Sequence, residues 1–121
     1  MNEINIKIKV SDKDIDDILC AAFEGGISYW AIKARPKNDN FFGASYASDA
    51  MTKGATIIIE TDDGQSLELT KDKFMDGLQK AATRCNHLFK MEGDGLDIGY
   101  IDANAADVIV QMAVFGEPIY G

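Results

Sequence analysis

A chain of 121 residues, 46% of them hydrophobic and 26% charged, has the length of one domain and enough apolar side chains for a core, which excludes a disordered segment and any need for disulfide staples. Its formal net charge of −8 argues against the clustered basic surface that a nucleic-acid backbone requires, and the nearest approach to one is Lys33, Arg35 and Lys37. From Met91 onward six acidic residues stand without a single Lys or Arg.

Cys20 and Cys85 are far apart and each falls in or beside the apolar stripe of a helical pattern, so both read as small apolar side chains in a reducing cytoplasm. No stretch reaches the length of a membrane span, and the opening MNEINIKIKV alternates instead of running apolar. Neither a membrane nor export is expected.

In chain order, Ile4, Ile6, Ile8 and Val10 alternate with Asn5, Lys7 and Lys9, the period-two signature of a strand with one buried face. Ser11 then caps a helix, with Asp14 three residues on, and Ile15, Ile18, Leu19, Ala22 and Phe23 form its stripe. Gly25 or Gly26 is expected to end that helix in the left-handed conformation. The next residues, ISYWAIKA, favour a strand over 27–34, with Trp30 on the core face and Tyr29 on the opposite one.

Arg35-Pro36 breaks the pattern, and a polar loop carrying Phe41 and Phe42 leads to a short helix over 46–53. ATIIIET and QSLELT, joined by Asp62-Asp63-Gly64, read as a β-hairpin. Thr70 caps a helix with the stripe Phe74, Leu78, Ala81, Cys85 and Leu88, inside which Gly77 implies a close backbone approach. After an acidic, glycine-rich connection over 91–101, Asp102 caps a last helix running to Phe115. There Asp107 and Gln111 are the only strongly polar residues beyond the first turn, and they share a face. A helix so apolar all round must be enclosed by its own molecule or by a second copy.

The expected fold is therefore a single α+β domain over 1–121, with a mainly antiparallel sheet of about four strands and helices packed on one face. The usual catalytic sets are missing: there is one histidine, and no nucleophile elbow, zinc motif, phosphate loop or dinucleotide fingerprint. The acidic run from Glu92 resembles a calcium loop only superficially, because Asp97 stands where glycine is needed and Ala103 where the closing carboxylate belongs. No catalytic residue, metal or cofactor is expected.

Three binding readings remain. Glu92, Asp94, Asp97 and Asp102 form a candidate acidic surface for a basic partner. Tyr29, Trp30, Arg35, Lys37 and Tyr46 form a candidate pocket for a nucleotide-like molecule, with aromatics to stack a ring and cations to meet a phosphate. Val108, Ile109, Met112 and Phe115 form a candidate self-association face for a homodimer. A small enzyme of unknown class is the remaining alternative.

Two segments, DIDDILCAAFEGGISYW (14–30) and DANAADVIVQMAVFGEPIYG (102–121), resemble a family of small uncharacterised proteins carried by phages and prophages of Gram-positive bacteria. The resemblance rests on Glu-Gly-Gly-Ile-x-Tyr-Trp and on Ala-Asp-x-Ile-Val-Gln-x-Ala-x-Phe-Gly-Glu. It implies context and no chemistry, a phage or prophage gene product acting in the bacterial host's cytoplasm, and carries over no functional residue. The function expected from the whole reading is a non-enzymatic accessory protein that binds another macromolecule, with a host protein as candidate partner. Pro118 departs from the β-branched residue that the closing segment implies, which weakens the expectation of a paired strand at that point.

Overall fold

The computed structural model describes residues 1–121. Helix α1 (Asp12–Ala21) opens with the expected capping box: Ser11 Oγ accepts from the Asp14 amide at 3.0 Å, and an Asp14 carboxylate oxygen accepts from the Ser11 amide at 3.1 Å. Ile15, Ile18 and Leu19 are buried on its inner face. The helix does not end in a left-handed glycine. It runs on as a π-helical turn, Ala22–Gly26, and neither Gly25 nor Gly26 has positive φ. Gly26 is needed for a different reason: a Cβ there would lie 2.5 Å from the carbonyl oxygen of Ala103.

Strand β1 (Ala31–Pro36) pairs antiparallel with β2 (Ile57–Thr61), which pairs antiparallel with β3 (Ser66–Leu69). The hairpin register sets Ile57 opposite Leu69 and Ile59 opposite Leu67. Ile57, Ile59 and Leu69 thus enter the core on one face, while Lys33, Arg35, Ile58, Glu60 and Glu68 occupy the other. Between β1 and β2 lies α2 (Ala47–Ala50), extended by a 3₁₀ turn that Gly54 terminates at φ 119°.

Helix α3 (Lys71–Arg84) is capped by Thr70 and buries Phe74, Gly77, Leu78 and Ala81. Cys85 and Leu88, expected on the same helix, lie beyond its end but still pack against the core, as does Phe89. The acidic connection contains a small hairpin, β4 (Met91–Glu92) with β5 (Gly95–Leu96). Helix α4 (Ala103–Phe115) starts at Asp102, whose carboxylate accepts from the Ala105 amide at 2.8 Å. It crosses α3 at Gly77, where an added Cβ would sit 2.5 Å from the Ala113 nitrogen. The close approach expected at Gly77 is present.

The architecture is α+β, as the sequence indicates, with the helices on one face of the three-stranded sheet and the second sheet apart from it. One element differs. Residues 1–8 form no strand, and Lys9 makes only a single bridge, parallel to Gly95. Alternation makes a segment competent to pair, but only Lys9 meets a strand edge, that of β5. No terminal strand forms either: residues 117–121 run irregularly back over the core. No helix is long and apolar enough to cross a membrane.

Candidate functional site

Tyr29 and Trp30 precede β1. They sit in a tight turn over 27–30, in which the amides of Trp30 and Ala31 both donate to the Ile27 carbonyl, at 3.0 and 2.9 Å. Strand alternation therefore does not place them, although the expected outcome holds for each, Trp30 buried in the core and Tyr29 half-exposed. Both side chains reach one residue. Tyr29 Oη donates to an Asp107 carboxylate oxygen at 2.6 Å, and Trp30 Nε1 donates to the other at 2.8 Å.

Gln111, one helical turn beyond Asp107 on α4, completes the cluster. Its Nε2 donates to Asp107 at 2.9 Å and its Oε1 accepts the Ile119 and Tyr120 amides at 2.7 and 2.9 Å. Tyr120 is thereby held over Trp30, the two rings stacked with centroids 5.2 Å apart and planes 3° from parallel, while Phe115 tilts against both. Two residues that break an otherwise apolar helix thus fasten the turn before β1 and the closing segment to the same point. A buried carboxylate without a cation is tolerated because three donors surround it.

The chemistry open to this cluster is narrow. Partial burial of its hydroxyl, the bond to Asp107 and that carboxylate's charge push the Tyr29 phenol up to about 12, so it stays protonated. No buried side-chain nitrogen or oxygen in the molecule lacks a partner. The constellation is therefore a fastening, with its hydrogen-bonding capacity used internally. The sequence signal that could have found it was present: one acid and one amide, one turn apart, on an otherwise apolar helix.

The five residues expected to bind a nucleotide-like ligand are not brought together. Trp30 is 1% exposed beneath Tyr120, whereas Tyr29 and Tyr46 show 52% and 69% of their surface. Arg35 and Lys37 line a hollow of about 350 Å³ on the outer face of the sheet with Asp39 and Glu60 and no aromatic residue. Each cation is already paired, Arg35 with Asp39 at 2.6 Å and Lys37 with Glu68 at 3.2 Å.

The proposed self-association residues are also redistributed. Ile109 and Met112 are enclosed in the protein's own core, and Val108 and Phe115 are half-buried against it. The fold itself covers Ile109 and Met112 and leaves Val108 and Phe115 partly open. Cys20 and Cys85 are both free and half-buried; burial and then Glu24 push the Cys20 thiol up, away from reactive thiolate.

The acidic residues of the last quarter do not form one patch. Asp107 is buried and Asp102 caps α4, while Glu92 and Asp94 are exposed on the β4–β5 hairpin and Asp97 follows, half-buried. Alongside them Met91 and Tyr100 are 44% and 50% exposed. Asp94 pairs with Lys9 at 3.1 Å, both side chains largely in solvent. Compared with protein-family models, curated proteins and solved structures, the chain matches none.

Proposed function

We propose that the chain is a non-enzymatic accessory protein that acts by binding another macromolecule, a protein with a basic surface, and that residues 91–100 are the docking face. One observation carries the reading: this segment displays Glu92, Asp94 and Asp97 next to two half-exposed apolar side chains, Met91 and Tyr100, with no Lys or Arg of its own. Acidic groups around an apolar centre fit a partner in which Lys and Arg ring an apolar contact. The charges speed encounter and fix orientation, and the apolar pair supplies burial. The exposed Lys9 pair leaves Asp94 available, since ion pairs in solvent contribute little. The resemblance of segments 14–30 and 102–121 to phage and prophage proteins supports a site of action in the bacterial cytoplasm and a host protein as partner.

The test is capture from bacterial cytosol with the intact chain as bait, beside a Glu92→Lys/Asp97→Lys variant. Both side chains lack partners in the fold, so the variant keeps its structure, whereas Asp102 is spared because it caps α4. The expected result is a basic protein retained at low salt, released as ionic strength rises, and absent from the variant eluate. An identical set of captured proteins with both baits would sink the proposal.

A further inference from the structure

Residues 1–10 alternate as a strand does, yet the molecule leaves them without a partner. Ile4, Ile6 and Ile8 are 85%, 71% and 37% exposed. Their apolar face borders a cavity of about 370 Å³, with Ile6, Ile8 and Val10 on one side and Met75, Leu78 and Ala82 of α3 on the other. The only ladder contact is at Lys9, whose amide donates to the Asp94 carbonyl at 2.8 Å along β5. A row of bare isoleucines beside an open backbone edge is the arrangement that proteins otherwise cover.

We propose that this arm pairs antiparallel with the same arm of a second copy of the chain, about a two-fold axis through Ile6. The sequence is self-complementary in that register. Ile6 faces Ile6, Ile4 faces Ile8, Asn5 faces Lys7, and Glu3 faces Lys9. Within residues 3–9 every apolar position meets an apolar one, each Glu3 meets a Lys9, and no like charges stand opposite one another; only beyond that span does Val10 meet Asn2.

The neighbouring registers are worse. A slip of two residues one way sets Lys7 against Lys7; the other way, it sets Ile8 against Asn2 and Asn5 against Asn5. A slip of one residue puts isoleucines against polar side chains.

Pairing requires the arm to extend from Lys9, and along an extended chain successive residues direct their N–H and C=O groups to opposite edges. Lys9 turns its groups toward β5, so Ile8, Ile6 and Ile4 turn theirs to the open edge, where the two-fold register requires them. Lys9 then lies between Asp94 of its own copy and Glu3 of the other. The β4–β5 hairpin and the arm of each copy join into one short-stranded sheet across the axis, and the isoleucines close over α3. A lone two-stranded contact would be marginal; here it extends hairpins already formed. The interface is isologous, as two-fold pairing demands. It depends on residues 3–9 and is independent of Glu92 and Asp97.

The test uses the full chain in three forms. Sedimentation velocity across a concentration series should show a monomer–dimer equilibrium for the parent. Ile6→Lys, at an exposed position that leaves the far-ultraviolet spectrum unchanged, should raise the dimer dissociation constant at least tenfold. Ile6→Cys should form a disulfide-linked dimer under mild oxidation, mapped to position 6 by mass spectrometry, because cross-strand Cα atoms about 4.5–5.5 Å apart suit that bond. Lys7→Cys should not, since its two copies would lie about 8 Å apart at a rise of about 3.4 Å per residue. A parent that stays monomeric throughout, a dimer indifferent to Ile6→Lys, or cross-linking as ready at position 7 as at position 6 overturns the proposal.

Discussion

Asp107→Ala removes the acceptor on which three side chains converge. Trp30 and Gln111 are 1% and 0% exposed, so water does not take the place of the carboxylate for Trp30 Nε1 or Gln111 Nε2. A buried donor left unpaired costs about 1–3 kcal/mol. Gln111 Nε2 keeps long contacts to Tyr29 Oη at 3.3 Å and to the Tyr120 carbonyl at 3.4 Å, which puts its share at the low end. The half-exposed Tyr29 hydroxyl turns to solvent instead. Relief of the carboxylate's own desolvation offsets part of the loss.

The net expectation is a destabilisation of about 3 kcal/mol, a large share of the total of about 5–15 kcal/mol usual for a domain. Asp107→Asn separates the hydrogen bonds from the charge. Trp30 and Gln111 both donate to the same carboxylate oxygen, which the amide carbonyl reproduces, and the amide nitrogen donates to a Tyr29 hydroxyl that now accepts. That variant should lose only about 1 kcal/mol. Urea titration followed by the fluorescence of Trp30, the one tryptophan, measures both. Equal losses in the two variants, or an alanine variant as stable as the parent, would refute the account of the cluster as a fastening.

Gly77→Ala gains about 1 kcal/mol of helix propensity but drives a Cβ to within 2.7 Å of three Ala113 atoms, two of them backbone. A net loss of about 2 kcal/mol is expected from the overpacking, read as a lower melting temperature; a rise would contradict the close helix crossing. The Tyr29 phenol is raised to about 12 in the fold, above the unfolded value of about 10. The stability it lends is therefore complete below pH 10 and disappears as pH rises through 12. Burial and then Asp63 and Asp62 also push the Tyr120 phenol up, so a tyrosine absorbance titration should show late phenols of which Tyr29→Phe removes the one near 12. A full set titrating near the usual value of about 10 would argue against the Asp107 bond. Gln111→Leu frees the Ile119 and Tyr120 amides, so their hydrogen exchange should quicken at least tenfold while the amides of β2 stay protected. Unchanged exchange at both would mean that Gln111 does not hold the closing segment.

Much of this molecule was written locally. The capping box at Ser11, the hairpin over 57–69, the Thr70 and Asp102 caps and the need for glycine at 77 follow from residue spacing alone. Each depends on groups a few residues apart or on a stripe down one helix. The enclosure of α4 was legible too, because a helix with so little polar surface has no stable place in water.

What only the tertiary structure decided is where segments distant in sequence meet. Tyr29 and Trp30 look like alternating strand residues until the turn over 27–30 rotates both toward Asp107, 77 or more positions later in the chain. Gly26 looks like a helix terminator until the start of α4 is seen to press against it. The arm at residues 1–10 has the pattern of a strand, but a pattern states only that one face is apolar and not which edge will receive it. Periodicity encodes the face an element buries. The partner on that face is set by the closing of loops and the packing of elements against one another, which no local window contains.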